Sequence, residues 1–189
     1  MGTPGSFARS KPVRMKAKVC LVGEAAVGKT SLIRRFVVNE FDEHYVTTIG
    51  TRISRKLVSL RLPRREVDVS LMIWDIMGTK GFRQLLQGAY FTLAHGLLAV
   101  ADITRGGTLA DLQGWIDAAS RVTGPIPVIV AGNKQDLTEG AEIGPEDVAR
   151  FAQGSGHDFV MTSAKTGEGV EEAFRRLATR IALRVVGDS

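Results

Sequence analysis

The sequence predicts an α/β domain built on a mostly parallel sheet of six strands, with helices on both faces. Two observations support this fold class. In the second half of the chain, short apolar runs alternate with segments of helical periodicity, which is typical of a parallel sheet covered on both sides. Nearer the N-terminus, two runs of alternating apolar and polar residues predict a single antiparallel hairpin at the edge.

The composition fits one folded domain. The 189 residues are 44% hydrophobic, which is enough for one sizeable core and too few for two ordinary domains. No apolar run approaches the ~18 residues of a membrane span, and the N-terminus lacks the apolar stretch of a signal peptide, so a cytoplasmic protein is expected. The single cysteine, Cys20, lies in an apolar run, which favours a buried, inert thiol over a nucleophile.

The net charge of +5 comes from the N-terminal segment. Residues 1–18 hold five of the 25 basic residues and no acidic one, so the rest of the chain has 20 basic and 20 acidic residues. A neutral body argues against a nucleic-acid face, and no nucleic-acid partner is expected. Residues 1–15 are predicted to be a disordered basic leader, with a folded domain over 16–185 and a short tail over 186–189. Residues 1–18 offer a peripheral contact with an anionic membrane surface.

The first predicted strand, Val19–Val22, leads through a glycine-rich loop into a helix from about Lys29 to Val38. A polar, aperiodic connection over 39–50 follows, and its length favours a functional loop. The two alternating runs then lie at 58–62 and 67–73, joined by a short turn.

From Gly96 onward, strands and helices alternate. Strands are predicted at 97–101, 128–131 and 159–161 from their apolar runs. Helical periodicity marks three further segments, through the apolar residues Leu109, Leu112, Ile116 and Val122, then Val148 and Phe151, then Val170, Phe174, Leu177 and Ile181. Because ligands of parallel sheets bind beyond the carboxyl ends of the strands, the residues that follow each strand are the candidates for function.

The loop after the first strand fits the pattern G-x-x-x-x-G-K-[ST], which binds phosphate. Its glycines let backbone N–H groups face an anion, and the following helix adds its positive N-terminal end. Lys29 then reaches the outer phosphates, and the Thr30 hydroxyl can bind Mg²⁺. A plain glycine-rich turn is the alternative. The predicted ligand-binding residues are Gly23, Glu24, Ala25, Ala26, Val27, Gly28, Lys29, Thr30 and Ser31.

Asp75 and Gly78 follow the third strand in an Asp-x-x-Gly pattern. A carboxylate at this position can hold Mg²⁺, and the glycine N–H can approach a terminal phosphate.

Asn133, Lys134 and Asp136 follow the fifth strand and indicate the base. Asp136 can accept hydrogen bonds from N1–H and the exocyclic amine of guanine, whereas adenine offers no such donor pair. Lys134 can lie over the ring. After the sixth strand, Ser163, Ala164 and Lys165 present a backbone N–H to the guanine carbonyl. An ordinary loop with a helix N-cap is the alternative for Asn-Lys-x-Asp alone.

With these motifs in this order, the sequence resembles a Ras-superfamily small GTPase of the Rab and Ras-like branches over about residues 16–185. The resemblance rests further on Tyr45 and Thr48-Ile49-Gly50, on Trp74-Asp75 with Phe82-Arg83, Tyr90 and Asp102-Ile103-Thr104, and on Ser163–Phe174. It implies a Ras-like G domain of the P-loop NTPase fold and a GTP/GDP molecular switch in signalling. Hydrolysis would involve Lys29, Thr48, Gly78 and Thr79, and Mg²⁺ would be held by Thr30, Thr48 and Asp75.

The resemblance also assigns two aromatic residues of the first switch region to the nucleotide site, Phe41 and Tyr45. Phe41 would flank the guanine ring, although a hydrophobic staple beside the first helix is the open alternative. Trp74 and Tyr90 are predicted to be half-buried in packing, with an exposed platform for a partner as the alternative. Effectors and regulators would bind loops 41–50 and 75–90.

The sequence departs from the family pattern at the second switch. The family run Thr-Ala-Gly-Gln is replaced by Ile76-Met77-Gly78-Thr79, so the glutamine that orients the attacking water is absent. Thr79 is too short to take its place, and slow intrinsic hydrolysis is expected, with Lys80, Arg83, Gln84 or a partner protein supplying catalysis. Ala25 replaces a glycine of Ras and matters less. The alternatives are a pseudo-GTPase scaffold without useful turnover and an ATP-using P-loop enzyme, which Asp136 argues against.

Two further expectations concern partners. The hairpin 51–73 carries six basic and two acidic residues, which indicates either protection of an edge strand or docking of an acidic partner. The chain ends Val185-Val186-Gly187-Asp188-Ser189 with no nearby cysteine, so no prenyl anchor is expected in the chain as given. A monomer is the default.

Overall fold

The computed structural model describes residues 11–42, 51–76, 78 and 88–187, and the elements below lie within these ranges. The strands are β1 (Val13–Val22), β2 (Thr51–Arg61), β3 (Glu66–Ile76), β4 (Gly96–Asp102), β5 (Val128–Asn133) and β6 (Asp158–Thr162). The helices are α1 (Lys29–Val38), α2 (Gly107–Ala110), α3 (Leu112–Thr123), α4 (Pro145–Gly154) and α5 (Val170–Val186), with a 3₁₀ turn at Thr138–Gly140.

The strands form one sheet in the order β2-β3-β1-β4-β5-β6. β2 pairs antiparallel with β3, and every other neighbouring pair is parallel. The predicted fold class is therefore confirmed, including the antiparallel hairpin at one edge. β1 lies in the middle of the sheet, so the loop that follows it is flanked by the ends of β3 and β4.

Two apolar clusters cover the two faces of the sheet. One contains residues of α1 and α5 and includes a stacked pair of rings, Phe36 and Phe174, whose centroids are 4.1 Å apart. The other contains residues of α3 and α4, with Trp115 buried at its centre. Burial of apolar side chains on both faces explains why β4 and β5 are apolar throughout, with no alternation.

Several element boundaries differ from the predictions. β1 begins at Val13, so residues 13–15, which were assigned to the disordered leader, are ordered. They pair with Val67–Val69 of β3. Val13, Met15 and Ala17 alternate with Arg14, Lys16 and Lys18, a strand-like pattern that the sequence analysis did not use. β2 begins at Thr51, seven residues earlier than its predicted run. The prediction missed these residues because the first half of this edge strand is largely exposed and shows no apolar alternation. Residues 1–10 of the leader lie outside the described residues.

The helices agree more closely with the prediction. α1 has its predicted bounds. On α5, ion pairs join Glu171 to Arg175 and Glu172 to Arg176 at i,i+4 spacing. The segment around Leu109 to Val122 forms two helices, α2 and α3, where one was predicted. Among the described residues, no helix is both long and apolar enough to cross a membrane.

Candidate nucleotide-binding site

The loops after β1, β3, β5 and β6 lie at the carboxyl edge of the sheet, where the parallel register brings their first residues together. Leu21 of β1 pairs with Asp75 of β3, and Asn133 of β5 pairs with Thr162 of β6. The sequence motifs that were predicted to act together are thus adjacent in space.

At two positions of the phosphate loop, the backbone has a conformation and surroundings that only glycine fits. Gly23 and Gly28 have φ angles of +135° and +100°. A Cβ at Gly23 would lie 2.2 Å from the Val100 carbonyl oxygen, and one at Gly28 would lie 2.3 Å from Asn133 Nδ2. Gly28 precedes α1 without a side-chain cap, which leaves the first N–H groups of the helix available to an anion.

Lys29 lies in the first turn of α1 with its side chain inside the loop. Its Nζ donates hydrogen bonds of 2.7 Å to the carbonyl oxygens of Gly23 and Glu24, and only 6% of the residue is exposed. Burial lowers the pKa of Lys29 to about 8, and the charges of Asp75 and Glu24 counteract part of this shift. A buried ammonium group held only by carbonyl oxygens suits an anionic ligand, whose charge would favour its protonated form.

Thr30 and Asp75 meet across the site. Thr30 Oγ1 donates a 2.5 Å hydrogen bond to Asp75 Oδ2, and Asp75 is 2% exposed. Its other oxygen, Oδ1, is buried and has no hydrogen-bond partner among the described residues. Burial raises the pKa of Asp75, while the Thr30 hydroxyl and the Lys29 charge lower it. A buried carboxylate oxygen without a partner beside a hydroxyl is the oxygen donor set that Mg²⁺ prefers, so these residues fit the predicted metal.

Gly78 packs directly against the phosphate loop. A Cβ on Gly78 would lie 2.5 Å from the Ala25 nitrogen and 2.6 Å from the Glu24 carbonyl oxygen. The backbone after β3 thus approaches the loop at Ala25, more closely than any side chain would allow. The predicted contact between the Gly78 N–H and a terminal phosphate stays a prediction.

Asn133 joins the base loop to the phosphate loop. Its Nδ2 donates a 2.8 Å hydrogen bond to the Val27 carbonyl oxygen. Its Oδ1 accepts hydrogen bonds from Thr162 Oγ1 at 3.1 Å and from the Ala164 backbone N–H at 3.3 Å. Asn133 is 1% exposed. This one buried amide side chain therefore connects the loops that follow β1, β5 and β6.

Lys134 and Asp102 form an ion pair that the sequence did not predict. Lys134 has a φ of +69°, and its Nζ lies 2.6 Å from Asp102 Oδ2. Asp102 is 1% exposed at the end of β4. Burial alone would raise the pKa of Asp102, but hydrogen bonds from Lys134, Thr104 and Arg105 outweigh it and lower the pKa.

The remaining residues of the base loops are also close together. Ser163 Oγ donates a 2.5 Å hydrogen bond to Asp136 Oδ1, so the predicted base-reading carboxylate is oriented by the loop after β6. Arg35 of α1 donates to the backbone carbonyl oxygens of Ala164 at 2.8 Å and Lys165 at 2.5 Å. Arg35 was missed by the sequence analysis because its partners lie 129 and 130 residues away and no short motif contains it.

Other predicted site residues fall into two groups. Glu24, Ala26 and Ser31 lie in the phosphate loop or the first turn of α1, and Phe41 is partly buried against the core cluster of α1 and α5. The contact of Phe41 with the core is compatible with both of its predicted roles. Tyr45, Thr48 and Thr79, together with Met77, Lys80, Arg83 and Gln84, lie outside the described residues, so their predicted roles stay predictions.

Trp74 and Tyr90 form an edge-to-face pair with ring centroids 6.4 Å apart, and both are half-buried, as predicted. Lys18 lies over the Trp74 ring at 3.9 Å from its centroid. Cys20 is fully buried, as predicted, and burial raises the pKa of its thiol to about 12, with the charge of Lys18 lowering it slightly. These residues lie beside the site and not within it.

The fold and the loops define a P-loop protein in which a phosphate-binding loop and a base-binding loop share one sheet edge. Comparison with known proteins agrees. The model of the Ras family matches residues 18–183. Rab-25 of Mus musculus is 36% identical over 169 residues, which are 89% of this chain and 77% of the relative. Rab-4B of Homo sapiens has the same identity and coverage, and Rab-4 of Dictyostelium discoideum is 33% identical over 93% of this chain and 83% of the relative.

The chain therefore belongs to the Ras family, and its relatives place it among the Rab-like small GTPases. Family membership makes it a small GTP-binding protein of the switch type. The resemblance predicted from the motifs is confirmed.

Proposed function

We propose that this protein is a Mg²⁺-dependent GTP/GDP switch with slow intrinsic hydrolysis. The observation that carries the proposal is the meeting of Thr30 with Asp75, whose second carboxylate oxygen is buried without a partner among the described residues. Thr30, Asp75 and Thr48 would hold the metal. Bound Mg²⁺ would neutralise charge on the β- and γ-phosphates during hydrolysis.

The protein's own groups would bind the phosphates and exclude other contacts. Lys29 would exchange its bonds with Gly23 and Glu24 for phosphate oxygens, which are better partners for a buried ammonium. The N–H groups at the start of α1, which has no side-chain cap, would bind the β-phosphate. Gly78 would contact the γ-phosphate, so that loops 41–50 and 75–90 change order with the nucleotide state. Effectors and regulators would distinguish the two states there.

Guanine would be selected by Asp136, which Ser163 orients. Adenine carries no N1–H donor, so the carboxylate would lose its partners with ATP. Asp136→Asn should therefore weaken GTP binding and favour xanthine nucleotides, whose 2-oxo group accepts where guanine donates. Retained preference for GTP in this variant would contradict the assignment.

Slow hydrolysis is inferred from Thr79. A threonine hydroxyl reaches less far than the glutamine amide that the family uses to orient the attacking water. Single-turnover hydrolysis should be slow in the wild type and faster in Thr79→Gln. Fast wild-type turnover with no gain in the variant would contradict this part of the proposal.

A pseudo-GTPase scaffold is the second candidate, and Thr79 with Met77 favours it. The intact set of Lys29, Thr30 and Asp75 supports the switch instead, because a scaffold has less need of a complete phosphate and metal site. The nucleotide released on denaturation, identified by chromatography, tests the choice. GDP supports a working switch, GTP supports slow or absent hydrolysis, and adenine nucleotide contradicts the base assignment.

The partner surfaces are proposed from the same structure. β2 forms an edge of the sheet, and its basic side chains suit either protection of that edge or an acidic partner. Several of them already have partners inside the chain, such as Ser70 for Arg55, Val37 for Lys56 and Glu66 for Arg61. These contacts within the chain favour protection of the edge as the role of the basic side chains on β2.

A further inference from the structure

Arg105, just after β4, reaches back to the phosphate loop. Its Nη2 donates a 2.9 Å hydrogen bond to the Ala25 carbonyl oxygen, 80 residues away in the chain. Its Nε lies 3.0 Å from Asp102 Oδ2. Asp102 is buried and held in place by hydrogen bonds from Thr104 and Lys134. Its ion pair with Nε therefore fixes the guanidinium of Arg105, while 44% of the Arg105 side chain stays exposed.

Under the proposed function, Ala25, where Arg105 meets the loop, lies at the terminal-phosphate end of the site. Ala25 is the same residue that the Gly78 backbone approaches, and Gly78 is the group proposed to contact the γ-phosphate. The positive charge of Arg105 also affects the pKa of Lys29. Burial is the main cause of the lowered pKa of Lys29, and the positive charge of Arg105 lowers it further.

We propose that Arg105 acts as an arginine supplied by the chain itself, which places its positive charge beside the γ-phosphate and supports the hydrolysis that Thr79 leaves weak. This inference rests on the proposed function. In the proposed step Arg105 transfers no proton and acts through its charge alone. Water attacks the γ-phosphorus, the bond to the β–γ bridging oxygen breaks, and GDP and phosphate are released. Arg105 would stabilise the negative charge that develops on the phosphate oxygens.

A structural role is the competing explanation, because the hydrogen bond to Ala25 could serve only to hold the loop. The two roles differ in their dependence on the γ-phosphate. A clamp on the loop should affect GDP and GTP equally, whereas a charge beside the γ-phosphate should affect GTP and its hydrolysis more. Arg105→Gln separates them further, since glutamine has N–H donors for the carbonyl oxygen and carries no charge.

The test uses the full chain with Arg105→Gln, Arg105→Lys and Arg105→Ala. Arg150→Ala is the control, because Arg150 lies on α4 with 77% of its side chain exposed and pairs with Asp147 one turn away. Single-turnover GTP hydrolysis and the affinities for GDP and for the slowly hydrolysed analogue GTPγS are measured, and circular dichroism confirms folding. Hydrolysis in Arg105→Gln should fall about tenfold or more, with Arg105→Lys between it and the wild type.

The affinity for GTPγS should fall more than the affinity for GDP in both neutral variants. Equal losses for the two nucleotides, or wild-type hydrolysis and affinities in Arg105→Gln, would overturn the inference and leave the proposed function intact. If wild-type hydrolysis is too slow to measure, the ratio of the two affinities decides. A wild-type protein that binds no guanine nucleotide would contradict the proposed function itself, and the inference with it.

Discussion

Asn133 holds the Val27 carbonyl oxygen through a 2.8 Å hydrogen bond, and this bond connects the predicted base loop to the predicted phosphate loop. Both residues are buried, Val27 completely and Asn133 to 1% exposure. The positions of the two loops are therefore linked in the folded protein. A rigid link of this kind reduces the conformational entropy that the loops lose when nucleotide binds.

Asn133→Ala should weaken both nucleotide binding and folding. The substitution leaves buried groups at Val27, Thr162 and Ala164 without their partner, at a cost of about 1–3 kcal/mol. Affinity for GDP should fall by roughly 5- to 150-fold if the whole effect appears in binding. Equilibrium titration with a fluorescent GDP analogue and urea unfolding measure the two effects.

Gln113→Ala is the matched control for Asn133→Ala. Gln113 is an exposed amide on α3 that donates to Asp117 within the same helix and accepts an exposed hydrogen bond of 3.2 Å from Ser155 Oγ, outside the site. Its removal should change neither measurement by more than about 0.5 kcal/mol. Unchanged affinity and stability in Asn133→Ala would show that the link between the loops has no energetic role.

The sequence revealed the strands, the helices and the four motif loops because each depends on local periodicity or a short pattern. α1 has its predicted bounds, and Asp75 and Asn133 lie at the strand ends where the patterns placed them. Arg35, Asp102 and Arg105 were not predicted as site residues. Their partners depend on the order of the strands, and neither the distance in sequence between Arg105 and Ala25 nor their residue types indicate contact.

Asp102 should make the stability of the protein sensitive to acid. Its pKa is lowered in the folded state, since its hydrogen bonds outweigh the effect of burial, so its contribution to stability is full above the ordinary pKa of 3.8. That contribution is lost as the pH falls below 3.8 through the folded value. Asp102→Asn should be destabilised at pH 7, and its difference from the wild type should shrink in this acidic range.

Urea unfolding at pH 7 and at several values below pH 4 checks the prediction for Asp102. Asp117→Asn, which changes an exposed carboxylate on α3, serves as the control and should remain close to the wild type at each pH. A difference between Asp102→Asn and the wild type that is the same at every pH would contradict the assigned pKa shift.

Cys20 should be unreactive in the folded protein. The residue is fully buried, and burial raises the pKa of its thiol to about 12 from an ordinary value of 9.0. A thiol-specific reagent at pH 8 should therefore modify it only after unfolding in urea. Because the unfolded thiol ionises first, folding stability should decline between about pH 9 and pH 12, and Cys20→Ala should lack this part of the decline. Rapid modification of the native protein would contradict its burial.

Gly78→Ala should interfere with the terminal-phosphate end of the site. An added Cβ would meet the backbone of Glu24 and Ala25 at 2.5 Å, and because backbone atoms form the contact, no side-chain rotation can relieve it. The loop or the segment after β3 must move, at a cost of roughly 1–3 kcal/mol. If Gly78 contacts the γ-phosphate, affinity for GTPγS should fall by about tenfold while affinity for GDP changes less.

Gly154→Ala is the control, since a Cβ there meets no heavy atom of the described residues within 4 Å. Equal affinities of Gly78→Ala and the wild type for GTPγS would show that the close approach at Ala25 has no part in sensing the γ-phosphate.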